Sequence, residues 1–143
     1  MAVEIERKFL VLPGWFPRDG GDHIRQGYIA SSAQCTVRVR TRGDRAYLTV
    51  KGPTIGLSRP EFEYPIPLAD AVEMLDQLCA VVVDKHRHLE VHGAHTWEVD
   101  VFHGANDGLV LAEVEMQTEA DVLTLPPWAG LEVTDDPRYR NSR

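Results

Sequence analysis

Residues 36–42 read Thr-Val-Arg-Val-Arg-Thr-Arg, alternating without a break between a cationic row and a β-branched row. Successive side chains on a strand point to opposite faces, so this period of two predicts a strand with two chemically different sides. Gly43-Asp44 follows, a hairpin signal, and residues 46–52 resume the pattern with Val50 and Lys51 at its end. Working outward, Glu4, Glu6, Lys8 and Leu10 share one face, with Val3, Ile5, Phe9 and Val11 on the other. Glu61 to Tyr64 starts a further strand closed by Pro65 and Pro67, and residues 83–91, 95–102 and 109–117 supply three more. Glycine and proline punctuate these segments at short intervals, which predicts an all-β sheet, sandwich or barrel of about eight mostly antiparallel strands. Leu68, Val72, Leu75 and Leu78 recur at helical spacing, predicting an amphipathic helix over Leu68–Cys79 on the barrel wall. Thr118-Glu119-Ala120-Asp121 has the form of a capping sequence, predicting a short helix that stops before Pro126-Pro127.

The 143 residues are enough for one domain, 1–143, and the 43% hydrophobic and 26% charged composition is that of a folded globular chain. No apolar run approaches the roughly 20 residues of a membrane span. Glu4, Glu6, Arg7 and Lys8 stand where a secretion signal would carry its apolar stretch. Cys35 and Cys79 lack metal-ligand spacing and read as buried thiols in a reducing compartment, so a cytoplasmic location is expected. A net charge of −7 argues against nucleic acid or a membrane as partner, while leaving room for an anionic small substrate.

The charged rows are unusual. Carboxylates stand two residues apart at Glu4/Glu6, Glu61/Glu63, Glu98/Asp100 and Glu113/Glu115, and cations at Arg38/Arg40 and Lys85/Arg87. Such neighbours lie roughly 7 Å apart on one face. A water-facing surface accounts for any single strand. For the set it is costly, because acidic residues are poor strand formers and adjacent like charges repel. If the charged rows instead face the lumen of a closed sheet, acids and bases converge on one cavity. Oxygen ligands suit Mg²⁺ or Mn²⁺, and arginine suits phosphate oxygens. Metal plus polyphosphate satisfies both rows together.

Glu4-Ile5-Glu6-Arg7-Lys8 has the form E-x-E-x-K and resembles the signature of the CYTH superfamily, the triphosphate tunnel metalloenzymes. The resemblance runs on in order through Arg25-Gln26-Gly27-Tyr28, Val37-Arg38-Val39-Arg40, Thr49-Val50-Lys51-Gly52, Ser58 to Glu63, Asp84-Lys85-His86-Arg87, Trp97 to Asp100 and Ala112 to Glu115. Glu132-Val133-Thr134 and Pro137-Arg138-Tyr139 match the tail. It implies a mainly β fold, an eight-stranded antiparallel closed barrel with a few short helices packed outside. It also implies metal-dependent hydrolysis of a triphosphate, and the opening is most similar to the compact bacterial tripolyphosphatase branch, whose substrate is inorganic triphosphate. Other members cyclise ATP to cAMP or hydrolyse thiamine, nucleoside or RNA 5′-triphosphates, so an adenylate cyclase or a thiamine or nucleoside triphosphatase is the enzymatic alternative; a polyphosphate-binding module without turnover and a β-sandwich interaction domain with a charged surface are the non-enzymatic ones. Carried over residue by residue, Glu4, Glu6, Asp100, Glu113 and Glu115 are the expected ligands of Mg²⁺ or Mn²⁺. Lys8, Arg38, Arg40, Lys51, Arg59 and Arg87 are the expected phosphate ligands, with Glu61, Glu63 and Glu98 holding cations in place. Relatives usually continue into a C-terminal helix that can plug one tunnel mouth, so a chain ending at Arg143 implies a missing segment or a more open tunnel.

Two residues are expected to carry the chemistry. Lys85 stands beside Arg87, and a like charge disfavours the ammonium form, so its pKa should be lowered toward that of a general base, the alternative role being that of a plain phosphate-binding ammonium. Tyr28 is placed to orient Lys85 or the attacking water. His86 and His88 share the face opposite Lys85 and are expected to point outward, and Trp15, Trp97 and Trp128 to pack, with Trp15 a candidate for a tunnel rim.

Overall fold

A computed structural model describes residues 2–139. The strands are β1 (Ala2–Val11), β2 (Asp22–Ser31), β3 (Thr36–Arg42), β4 (Arg45–Lys51), β5 (Ser58–Ile66), β6 (Val82–His92), β7 (His95–Phe102), β8 (Val110–Glu115) and β9 (Ala129–Glu132). They lie in the order β5-β4-β3-β2-β6-β7-β8-β1-β9, and a further pairing of β5 with β1 closes eight of them into an antiparallel barrel. β1 makes the closure by dividing its length. Ala2 to Ile5 pair with Glu61 to Ser58, whereas Phe9 and Val11 pair with Glu132 and Ala129 of the short β9.

The expected alternation holds around the ring. The predicted hairpin joins β3 to β4 with Arg42 opposite Arg45, and Gly43 supplies the positive φ of 59° that the turn needs. One apolar face of β1, β7 and β8 buries Phe9, Trp97, Val99, Ala112 and Val114, covered from outside by Trp15 and Trp128. Burying each large side chain contributes roughly 1.5–3 kcal/mol, so this wall is held mainly from its outer side.

The single α-helix among the described residues, α1 (Leu68–Gln77), is two residues shorter than its periodicity predicts. It buries Ala71 and Leu75 against Val39 of β3 and Ala46 of β4, the wall-packing role expected of it. Cys79, just beyond, lies on Gly27 of β2 so closely that a Cβ there would stand 2.7 Å from the Cys79 Cβ. That contact is why the 25–28 motif carries glycine at its third position. Both cysteines are half-buried rather than fully so. No helix among the described residues is long and apolar enough to cross a membrane.

Two expectations are corrected. Residues 118–121 form one turn and no helix: Asp121 turns its carboxylate back onto the Gln117 amide and Thr118 hydroxyl, and the chain then runs irregularly to Pro126-Pro127. The capping residues are spent on that single turn. The second correction concerns the tunnel end. After β9 the chain turns inward, and Val133 and Tyr139 pack with Val83, Phe102 and Leu111. The Lys8 ammonium donates to the Tyr139 carbonyl at 2.9 Å. Residues 133–139 thus cover part of that end, where a more open tunnel was one of the two expectations, and Thr134 and Asp135 also line the cavity.

Candidate active site

The charged rows face inward and enclose a cavity of about 740 Å³. Its wall is built from Glu4, Glu6 and Lys8 of β1, Tyr28 of β2, Arg38, Arg40 and Arg42 of β3, Lys51 of β4, and Arg59, Glu61 and Glu63 of β5. Arg87, Glu98, Glu113 and Glu115 complete it from β6, β7 and β8. Each is there because strand parity sends it inward while its neighbours join the outer core. One mouth is bordered by Ser31, Ser32 and Ala33, by residues 53–57 of the β4–β5 loop, and by Thr134 and Asp135.

Acids gather on one side. Glu6 lies directly opposite Glu115, and Glu113 directly opposite Glu98, like charges on paired strands. Such pairs destabilise an empty sheet. Burial, then the neighbouring Glu113 and Glu4 charges, push the Glu6 carboxyl well above the ordinary carboxylate range. Burial, a hydrogen bond to Glu4 and the Glu4 charge likewise raise Glu61 to about 7. Burial also acts on Glu4, but the bond from Glu61 and the Lys51 ammonium outweigh it and hold Glu4 below its usual value. Lys51 sits 2.9 Å from Glu4 and 3.5 Å from Glu61. Glu113, although buried, is held low by Lys8, Lys85 and Arg87, with Lys8 at 3.6 Å. The acids therefore relieve their crowding by sharing protons and by borrowing lysines.

Cations gather opposite. Arg38 donates to Thr49 at 3.3 Å and lies 3.7 Å from Glu63. Arg87 forms a two-pronged pair with Asp100, at 2.8 and 2.9 Å, and reaches Glu98 at 3.0 Å. Arg59 turns onto the Gly52 carbonyl at 2.9 Å. Arg40 is bonded through its Nε to the Gln26 carbonyl oxygen at 2.8 Å. Burial, then the Arg38 and Arg87 charges, lower the Arg40 pKa to about 9.

The structure brings together on the cavity wall Glu4, Glu6, Glu113 and Glu115, the six expected phosphate ligands and Tyr28. It moves two residues off that wall. Lys85 has no exposed surface and lies between Ile24 and Phe102 of the adjacent strands, its ammonium 5.3 Å from the Phe102 ring. It pairs with Asp100 at 2.6 Å. Its pKa is lowered to about 8, with burial as the main cause and Arg87 and Arg40 adding to it against Asp100. The expected direction is thus present with a different leading cause, and the ammonium reaches no cavity water directly. Asp100 is 1% exposed, lies off the cavity wall and has both oxygens engaged, by Arg87 and Lys85.

Two further features had no signal in the spacing, the seat of Gln26 and the grouping of the histidines. Gln26 lies fully buried behind Arg40. His86 points outward as expected, but joins His23, stacked at 4.8 Å, and His103, bonded at 2.7 Å, in a cluster drawn from three separate strands and loops. His88 is covered by Trp15, which packs on Trp128 outside the barrel and does not rim the tunnel.

The sequence model of the CYTH domain matches residues 2–140. The chain belongs to the CYTH family. Among CYTH relatives, an inorganic triphosphatase of Acetivibrio thermocellus is 47% identical, the match covering 99% of this chain and 92% of that protein. An inorganic triphosphatase of Nitrosomonas europaea is 38% identical, covering 97% of this chain and 94% of that protein. The crystal structure of the inorganic triphosphatase NE1496 superposes with a TM-score of 0.68 at 34% identity, covering 99% of this CYTH domain and 93% of that chain.

The acidic side fits a divalent cation in its chemistry. Carboxylate oxygens are the donors that Mg²⁺ and Mn²⁺ prefer, and the facing pairs Glu6/Glu115 and Glu98/Glu113 carry the repulsion that a cation would remove. Among the described residues no three such groups already stand in coordination geometry. A cation there would take the place of the ammonium groups of Lys51 and Lys8, which now stand beside Glu4 and Glu113.

Proposed function

We propose that this protein hydrolyses inorganic triphosphate to pyrophosphate and phosphate in its barrel lumen, with Mg²⁺ or Mn²⁺ as cofactor. The observation that carries this reading is the division of one cavity into an acidic and a basic side, a surface complementary to a polyanion and its counter-cation at once. The inorganic triphosphatases among its relatives support the same substrate. The mouth supports it too, since Ser31, Ser32, Ala33, Pro53, Thr54, Gly56 and Leu57 present no aromatic ring or carboxamide to a nucleobase.

Arg38, Arg40 and Arg87 seat the phosphate groups, and Lys8, Lys51 and Arg59 neutralise the rest of the chain. Cleavage of a phosphoanhydride is governed by charge stabilisation and in-line positioning, which a fixed guanidinium row supplies without reorganising in the transition state. Glu4, Glu6, Glu113 and Glu115 would hold the metal, which when bound would neutralise phosphate charge and acidify water. The Tyr28 hydroxyl, on the strand facing Arg38, orients the attacking water. Lys85 acts through Asp100 as a positioning residue that keeps Arg87 facing the lumen.

The test is phosphate release from inorganic triphosphate, ATP and thiamine triphosphate side by side, with Mg²⁺, with Mn²⁺ and with EDTA. Metal-dependent release from inorganic triphosphate, far above the organic substrates, is the expected result. Release from ATP or thiamine triphosphate alone would overturn the substrate assignment, and no release from any would overturn the activity.

A further inference from the structure

The second residue of the Arg25-Gln26-Gly27-Tyr28 motif has no part in the mechanism above. Gln26 is 0% exposed, faces the lumen side of β2 directly opposite Arg40, and accepts a hydrogen bond from the Arg40 Nε at 2.8 Å. Its side-chain nitrogen is buried without a partner among the described residues. A buried, half-satisfied carboxamide is a cost to the fold.

The neighbouring cations give that cost a meaning. Lys8, Arg38, Arg42, Lys51 and Arg87 each stand within 4 Å of a carboxylate. Arg40 makes no ion pair among the described residues, and its bonded partner is a neutral amide. Arg59 shares that lack, but its guanidinium is turned onto the Gly52 carbonyl. A glutamate at position 26 would have the same shape and would accept the same bond, while cancelling the charge it holds.

We propose that Gln26 is a positioning residue whose uncharged amide fixes the Arg40 guanidinium and leaves its full positive charge for a phosphate group of the substrate. The proposal rests on the triphosphatase reading and adds to it the residue that keeps one phosphate seat charged. A residue serving only to fill space would prefer the fully satisfied pair that glutamate makes.

The test compares Gln26→Glu and Gln26→Met with wild type by thermal melting, by calorimetric binding of inorganic triphosphate in EDTA, and by kcat/KM in Mg²⁺. Gln26→Glu is expected to melt at or above the wild-type temperature while losing at least tenfold in triphosphate affinity and in kcat/KM. Gln26→Met, which keeps Arg40 charged but untethered, is expected to lose only a few fold. In an Arg40→Ala background the Gln26→Met change should have no further effect, because the tether runs through Arg40. If Gln26→Glu does not fold, the Gln26→Met loss must still vanish in that background. Wild-type binding by Gln26→Glu, or a loss in Gln26→Met as large as in Gln26→Glu, overturns the proposal. A wild-type protein that neither binds nor hydrolyses triphosphate overturns the functional reading itself, and is told apart by needing no variant.

Discussion

The two sides of the lumen meet the problem of crowded like charges in opposite ways. On the acidic side, burial and neighbouring carboxylates push Glu61 and Glu6 above their ordinary range, and Lys51 and Lys8 lean in as counter-ions. These are provisional partners, which a metal ion can displace. On the basic side the repulsion is met by fixed partners: Asp100 clamps Arg87 and Lys85 from behind, Glu63 stands by Arg38, and Gln26 tethers Arg40 without neutralising it. The difference teaches that the acidic side is built to change its occupant and the basic side to keep its shape.

The most damaging way to break this contrast is to remove the clamp. Asp100→Asn leaves Arg87 and Lys85 buried without a full counter-charge, and should cost about 3–5 kcal/mol of stability by denaturant melting. A variant as stable as wild type would show that the basic side does not depend on Asp100. Next in size is Arg40→Ala, which takes away a phosphate seat with no carboxylate to orphan. It should lower kcat/KM for triphosphate by about 10²–10³ while the melting temperature holds or rises, since one of three adjacent positive charges is gone. A smaller loss, about tenfold, is expected in kcat for Tyr28→Phe with KM unchanged, as befits a hydroxyl that orients water without binding phosphate. On the acidic side, Glu4→Gln should raise the Mn²⁺ concentration needed for half-maximal activity, with the wild-type rate regained at high metal. A rate that excess metal cannot restore would move Glu4 out of the metal set.

The finest distinction is in pH. In the folded protein Glu61 stands at about 7 against an ordinary 4.5, so the native state binds the extra proton between those values. Its contribution to stability is therefore complete below pH 4.5 and is lost as pH rises through about 7. Metal-free protein should show this decline in chemical melts, and Glu61→Gln should flatten it.

Much of this was legible in the sequence, because a closed sheet obeys parity. The Thr36–Arg42 alternation and the paired acids two residues apart grouped these charges on single strand faces, and the resemblance carried by the E-x-E-x-K opening turned those faces toward a lumen. Parity does not encode depth. Lys85 and Arg87 share a face, yet only Arg87 lines the cavity, because Phe102 and Asp100 of the neighbouring strand cover the lysine. Nor does parity encode ring closure, which alone brings Lys51 of β4 onto Glu4 of β1. The short helix expected at residue 118 failed for a local reason, since a capping sequence can close a lone turn when no helix-forming run follows it. The His23/His86/His103 cluster joins residues far apart in the chain and has no periodic signature.

The central claim is that the two sides form one site, taking metal and triphosphate together. The direct measurement is titration of the protein with Mn²⁺, followed by the free-ion paramagnetic resonance signal, with and without a non-hydrolysable triphosphate analogue, and with Arg40→Ala protein as the control for metal bound by the analogue alone. The account predicts that the analogue tightens Mn²⁺ binding to wild type, that Mn²⁺ tightens analogue binding by the same factor, and that Arg40→Ala loses most of this coupling. Mn²⁺ binding that is the same with and without the analogue would contradict it.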